Sequence, residues 1–314
     1  MSSKQILNYN IGKEVGRGAF GKVYVGLNND NNERIAVKEV KNEQRFKDAA
    51  IKEIKILKQL KENKLEETYV IDFKDNFVFL GIQYLVFEYM DKNLYYYYKK
   101  NTISYKNVIS IFYEVTKGLE YIHSQNIIHC DLKPENIMIN KETKKIKIID
   151  FGSAIYYGTE KKHFYIQSRY YRAPEIVYCI SQYTCAIDIW SLGCIIYELL
   201  FRKPLFPATD KKDLLFLFTT LLGIPNDGAY FISPEYNQHF VFSIGCNQYM
   251  RRHTKKVYEN VDKEGLMLKL NKEIDIKLEY KEDLMELLQS IITYDYKNRI
   301  TATKILENEL FYRK

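Results

Sequence analysis

Apolar and polar positions alternate from Tyr9 to Val40, with valines and isoleucines stepping past polar residues and glycines breaking the run. A period of two marks half-buried strands. The pattern changes at Phe46: Phe46, Ala50, Ile54, Leu57 and Leu60 recur at helical spacing and predict an amphipathic helix over Phe46–Leu60. Strand character returns over Thr68–Glu88, carried by Val70, Ile71, Phe73, Phe77, Phe79 and Tyr84–Phe87, and then stops. The rest is mostly helical. Asn107–Ser124 places Val108, Ile111, Phe112, Val115, Leu119 and Ile122 on one face, and Leu284, Leu287, Leu288 and Ile291 mark a helix near the C-terminus. Ile187–Phe201 is apolar nearly all round, which predicts a helix buried inside a lobe. The fold class expected is α+β, as one domain over 1–314. A small sheet-rich part covers about 9–88 with one main helix, strand character stops over about 88–92, and a larger helical part covers 93–314.

Composition narrows the class. The 314 residues are 46% hydrophobic, enough to bury a sizeable core and to exclude a disordered chain. The net charge of +7 comes from 47 basic and 40 acidic residues and reads as ordinary surface charge. No stretch interleaves dense Lys/Arg with aromatics, so no nucleic-acid partner is expected. The basic cluster Arg251–Lys256 reads as a solvated loop face, with a nuclear address or docking patch as the alternative. Five cysteines, scattered and without metal-ligand spacing, point to a reducing compartment. The N-terminal MSSKQILNYN has no apolar signal region, and Leu214–Leu222 is too short to cross a bilayer. A soluble intracellular protein, cytoplasmic or nuclear, is expected. The run Tyr95–Tyr98 reads as compositional drift.

Candidate chemistry concentrates in a few motifs. Gly16-Arg17-Gly18-Ala19-Phe20-Gly21-Lys22-Val23 is a glycine-rich turn between two strand-like segments, whose backbone N–H groups can face phosphate oxygens. A dinucleotide fingerprint would need a helix after the turn, which disfavours that reading. Lys38 closes the apolar run Ile35-Ala36-Val37. An acid must hold such a lysine in place. Glu53, mid-helix, is the best candidate, although Glu39 and Glu43 are nearer in sequence. Ile128–Asn136 reads IHCDLKPEN, and Asp150-Phe151-Gly152 follows after a short apolar run. Asp131 can accept a hydroxyl proton, Lys133 can neutralise a transferring group, and Asn136 and Asp150 supply hard oxygens for Mg²⁺.

With Ala173-Pro174-Glu175, Asp188-Ile189-Trp190-Ser191-Leu192-Gly193 and Arg299 added in the same order, the chain resembles a eukaryotic protein kinase over nearly its whole length. The resemblance implies ATP and Mg²⁺, protein substrates, and a bilobal fold. It implies that Phe87 is the gatekeeper of a nucleotide pocket, that Glu88, Tyr89 and Met90 form the hinge, and that Asn93 reaches the ribose. It also implies that Asp188 braces the catalytic loop and that Glu175 pairs with Arg299. Lys133-Pro134-Glu135 is similar to serine/threonine kinases.

Tyr165-Ile166-Gln167-Ser168-Arg169 followed by Tyr171-Arg172-Ala173-Pro174-Glu175, the Cys130 of HCD and Asn93-Leu94-Tyr95 resemble the dual-specificity tyrosine-regulated kinases, while QSRYYRAPEI and PENIM look as much like the homeodomain-interacting kinases, the close alternative. Both belong to the group that includes the cyclin-dependent kinases. That group implies a proline preference and an insert, matched here by 204–280. Cys130 stands where most regulated kinases have an arginine, so the usual arginine switch is absent. The kinship implies autophosphorylation of Tyr165, with Arg169 and Arg172 close in sequence to receive the phosphate. Little chain precedes the first strand, where these relatives carry a helper region, and His163 replaces the first tyrosine of the usual pair. Cys130 reads as a packed, inert thiol rather than a redox sensor. No cyclin is required, since Phe46–Leu60 lacks the recognition signature, and a monomer is expected. A non-catalytic scaffold would lack the lysine, aspartate or DFG, all of which are present.

Overall fold

The computed structural model describes residues 4–63, 69–159, 166–180, 183–223, 225, 240–243, 248–251 and 281–312. By mutual contact the chain divides into two compact units: Met1–Tyr97 with Glu135–Ala154, and Tyr98–Pro134 with Ile155–Lys314.

The first unit is built on a six-stranded antiparallel sheet: β1 (Lys4–Ile6), β2 (Tyr9–Arg17), β3 (Gly21–Asn28), β4 (Arg34–Val40), β5 (Phe73–Phe79) and β6 (Ile82–Glu88). Strand order is β1-β2-β3-β4-β6-β5. One face buries Ile6, Tyr9, Ile11, Ile35, Val37, Tyr84 and Val86 as a core, with Tyr9 and Tyr84 each stacked on Phe77. β1 is too short to show a period in the sequence; buried Ile6 is its anchor. α1 (Gln44–Glu62) buries Ala50, Ile54, Leu57 and Leu60 of the predicted stripe, leaves Phe46 half-buried, and buries Glu53 with them.

Patterning ends the sheet lobe at 88–92, yet strand pairing carries the first unit further. β7 (Lys92–Asn93), β9 (Ile137–Ile139) and β10 (Ile146–Ile148) form a second sheet in the order β10-β9-β7. Ile137, Ile139, Ile146 and Ile148 are buried, and Val70 bridges to Ile148. These short apolar strands draw Glu135–Ala154 into the first unit, and with it two predicted site residues.

The described residues of the second unit are mostly helical, with one small ladder of β8 (Ile127–Ile128) and β11 (Ile155–Tyr156). α2 (Leu94–Lys100) runs from the first unit into the second. α3 (Tyr105–Ser124) starts at Ser104, whose hydroxyl accepts from Asn107 N–H at 3.3 Å. α4 (Pro174–Val177), α5 (Ala186–Phe201), α6 (Lys211–Leu222), α7 (Lys281–Ile291) and α8 (Ala302–Leu306) follow. α5 is buried all round, as its composition predicts, and packs on α3 and α7. A Cβ at Gly193 would come within 2.7 Å of Ile292 Cδ1, so glycine lets α5 meet the chain at the end of α7. Most of the expected insert 204–280 lies outside the described residues, apart from α6 and a hairpin of β12 (Phe240–Ser243) and β13 (Gln248–Arg251). Arg252–Lys256, His163 and Tyr165 also lie outside them.

Candidate active site

β4 alternates, so Ile35 and Val37 enter the core while Ala36 and Lys38 take the other face. Cross-strand pairing sets Val25, Ala36 and Phe87 in one row and Val23, Lys38 and Leu85 in the next. Lys38 Nζ lies 2.8 and 2.9 Å from the two carboxylate oxygens of Glu53 and 3.1 Å from Asp150 Oδ1. Burial works against the Lys38 ammonium, but the charges of Glu53 and Asp150 outweigh it and push its pKa above the ordinary lysine value. Lys38 is therefore a fixed cation. Of the three acids near it in sequence, Glu53 is the one that holds it; Glu39 accepts from the Tyr84 hydroxyl at 3.0 Å, and Glu43 pairs with Arg45.

The glycine-rich turn sits between β2 and β3, with Gly18 N–H donating to the Gly21 carbonyl at 2.9 Å. Gly21 is required by packing, because a Cβ there would collide with the Glu39 carbonyl. Gly18 is different: nothing lies within 4 Å of its Cβ position, and the nearest atom at Gly16 is 3.7 Å away. Neither needs to be glycine for the fold, so their bareness leaves backbone open to a ligand. Arg17 turns away onto Glu14 at 2.8 Å, and Ala19 lies in the turn. Phe20 stands edge-on to Phe46, with Lys38 Nζ 5.7 Å from its ring centre.

Phe87 packs against Phe73 with ring centres 5.8 Å apart. The Glu88 carboxylate accepts from Asp72 N–H at 2.8 Å and lies 3.4 Å from Lys147 Nζ, so its side chain is already engaged. Tyr89 carries the Arg34 guanidinium 3.7 Å above its ring, and Met90 is buried. Asn93 Oδ1 accepts from Tyr96 N–H at 2.9 Å and caps α2.

Asn136 ends a 3-10 turn, Pro134–Asn136, and its carbonyl accepts from Ile149 N–H at 2.9 Å. That bond sets Asn136 beside the residue preceding Asp150. Asp150 is left-handed at φ 64, which turns its carboxylate to Lys38. A Cβ on Gly152 would stand 3.3 Å from Asp150 Oδ1 and 3.6 Å from Glu53 Oε2. Glycine thus keeps room beside both acids. Among the described residues no cluster of three His, Cys, Asp or Glu could hold a metal. One amide oxygen and one carboxylate nonetheless fit Mg²⁺, which is commonly held by one or two protein oxygens with phosphates and water.

In the second unit, Asp131 Oδ2 lies 2.6 Å from Lys133 Nζ, while Oδ1 accepts from the backbone N–H of Ser168 at 3.0 Å and its hydroxyl at 2.8 Å. Lys133 Nζ also donates to Ser168 Oγ at 3.0 Å. Ser168 closes this triangle and was not among the candidates; it appeared only within QSR, where nothing in the spacing links it to Asp131. Asp188 is fully buried and takes three donors on its carboxylate side: Cys130 N–H at 2.9 Å, His129 N–H at 2.8 Å, and the His123 ring at 3.0 Å. These bonds hold Cys130 at φ 65. Burial, then the charge of Asp188, pushes the Cys130 thiol well above its usual range, so it is not a thiolate. The Cys130 carbonyl accepts from Gln167 N–H at 3.1 Å.

Gln167 is itself left-handed at φ 62 and buried. Its side chain donates to the Ile187 carbonyl and to Ser191 Oγ, both at 2.9 Å, and accepts from Ala173 N–H. Arg172 turns onto the Ile166 and Gln167 carbonyls at 2.9 and 2.7 Å, and Arg169 donates to the Thr209 carbonyl. Glu175 and Arg299 form a buried two-bond pair at 2.6 and 3.1 Å.

The protein kinase domain family matches residues 9–311. The human dual specificity tyrosine-phosphorylation-regulated kinase 4 is 34% identical over 306 residues, covering 96% of this chain and 56% of that protein. Kinase 3 of the same series from Macaca fascicularis is 40% identical over 222 residues, 69% of this chain and 39% of its own. Kinase 2 from Drosophila melanogaster is 39% identical over 222 residues, 69% of this chain and 30% of its own. The chain thus spans about half, or less, of the length of these relatives.

Proposed function

The chain belongs to the protein kinase domain family, and from that premise we propose that it transfers the γ-phosphoryl group of ATP to serine and threonine of proteins, and to a tyrosine of its own. The observation that carries this reading is Lys38 gripped by Glu53 and Asp150. A buried cation fixed between two acids suits α- and β-phosphates and has little purpose in a core.

In this reading the amides of Gly16–Gly21 cover the phosphates, with Val23, Ala36 and Phe87 along the adenine. The backbone of Glu88, Tyr89 and Met90 reads its edge, and the Asn93 amide nitrogen serves the ribose. Asn136 and Asp150 hold Mg²⁺, which supplies neutralisation of the β- and γ-phosphates when bound. Asp131 orients the acceptor hydroxyl and takes its proton on the carboxylate. Lys133 offsets charge on the moving group, and Ser168 keeps Asp131 from swinging out of line.

Proline after the acceptor fits the Gln167 turn. Its carbonyl already takes two bonds from Arg172, so an amide N–H arriving there would lack that acceptor, and proline has no N–H to satisfy. The relatives are named for regulation by tyrosine phosphorylation. Tyr165 is the proposed site here, with Arg169 and Arg172 close to it in sequence. The protein is further proposed to act as an intracellular monomer without a cyclin or nucleic acid. No described helix is long and apolar enough to cross a membrane.

Purified protein with labelled ATP, Mg²⁺ and a generic basic protein tests the core of this. Wild type should transfer label, while Lys38→Met and Asp131→Asn should not, with circular dichroism unchanged. Retained transfer in either variant overturns the assigned roles. Peptide mapping of an active sample should find phosphate on Tyr165; an unmodified tyrosine there overturns the autophosphorylation.

A further inference from the structure

Buried in the second unit, Glu198 uses both carboxylate oxygens on tyrosines. Oε1 accepts from the Tyr98 hydroxyl and Oε2 from the Tyr171 hydroxyl at 2.6 Å. All three side chains are almost sealed, at 1%, 2% and 6% exposure for Tyr98, Glu198 and Tyr171. Tyr98 lies in the tyrosine run of α2. The same helix end is held again by Arg202, whose guanidinium donates to the carbonyls of Tyr98, Lys99 and Asn101.

Tyr171 continues the path. Its N–H donates to the Ser168 carbonyl at 2.9 Å, and its carbonyl accepts from Ser191 Oγ at 2.8 Å. Ser168 in turn holds Asp131 through its N–H and its hydroxyl. Hydrogen bonds therefore link Tyr98, Glu198, Tyr171, Ser168 and Asp131 residue to residue, with the bodies of Tyr171 and Ser168 joining one bond to the next. A carboxylate this deeply buried is costly unless its oxygens are matched, and the two phenols are the donors that match them.

We propose that Tyr98 and Glu198 are positioning residues: through Tyr171 they set Ser168, and so the orientation of Asp131 toward the acceptor. This rests on the kinase reading above. Because ATP is held by residues of the first unit in that reading, loss of the bridge should affect acceptor use and spare nucleotide binding.

The test is steady-state kinetics on a Ser-Pro peptide with wild type, Tyr98→Phe, Tyr171→Phe and the double variant. Each single change removes one oxygen. Expected is a fall of about tenfold in kcat/KM for the peptide in each single variant, the scale of one well-placed hydrogen bond, with KM for ATP unchanged. The double variant should be no worse than either single, since both break one path. Glu198→Gln, which keeps the shape, should show the same split. Peptide kinetics like wild type in Tyr98→Phe, or losses that multiply in the double, would overturn the proposal. So would equal losses for peptide and ATP. If wild type transfers no phosphate at all, the kinase reading fails separately. The bridge is then read from thermal unfolding of the same four proteins, where additive losses would sink it.

Discussion

Single side chains here work through what is attached to them. Lys38 is useful because Glu53 fixes it, so Glu53→Gln should lower kcat/KM for ATP about a hundredfold, in the range seen when a charge-stabilising partner is removed. Far-UV circular dichroism should be unchanged, and initial-rate measurements check the loss. The thiols make the opposite point. Burial pushes Cys130 and Cys194 well above the usual thiol range and Cys185 up to about 12. Native protein treated with iodoacetamide at pH 8 should leave all three unlabelled, with labelling appearing only on unfolding, as mass mapping would show. The sign for stability follows from Cys185. Its thiol stays protonated when folded while the unfolded chain ionises above an ordinary value of 9.0, so stability falls as pH rises from about 9 to about 12.

α5 is the element on which the second unit is organised. Its buried polar residues, Asp188, Ser191 and Glu198, recur at helical spacing on an otherwise apolar helix. One serves the catalytic loop, one Gln167 and one the tyrosines. Asp188→Asn would place an amide N–H₂ against backbone donors and should cost about 2–4 kcal/mol in urea unfolding, with loss of activity. Gly193→Ala should cost about 1–3 kcal/mol by forcing α5 from Ile292, with the fold otherwise kept. The helices α1, α3, α5 and α7 were legible because each repeats its apolar residues over several turns. The halves of the site were legible as motifs. What could not be read was long-range polar partnering. Ser168 meets Asp131 across 37 residues and Tyr98 meets Glu198 across 100, and no local period encodes either bond. The tyrosine run looked like drift, yet Tyr98 is one of the largest sealed side chains.

At the scale of the whole molecule, the two units carry different halves of the proposed chemistry. The residues proposed to hold nucleotide belong to the first unit and the proposed base, Asp131, to the second. Mg·ATP at a hundred times its Kd should stabilise the protein by about 2.7 kcal/mol through linkage alone, seen as a rise in unfolding temperature. EDTA should remove both that rise and the activity while leaving the unliganded unfolding temperature unchanged. Asp188 adds a consequence of another kind. The loop that carries Asp131 is shaped by a carboxylate sealed in the interior, and Cys130 within it is an uncharged thiol. A loop shaped in this way takes its geometry from the core of its own unit, and its form is settled as that core closes. A substitution that loosens α5 is therefore felt at Asp131 from within, so a weakened core and a misshapen loop become one defect.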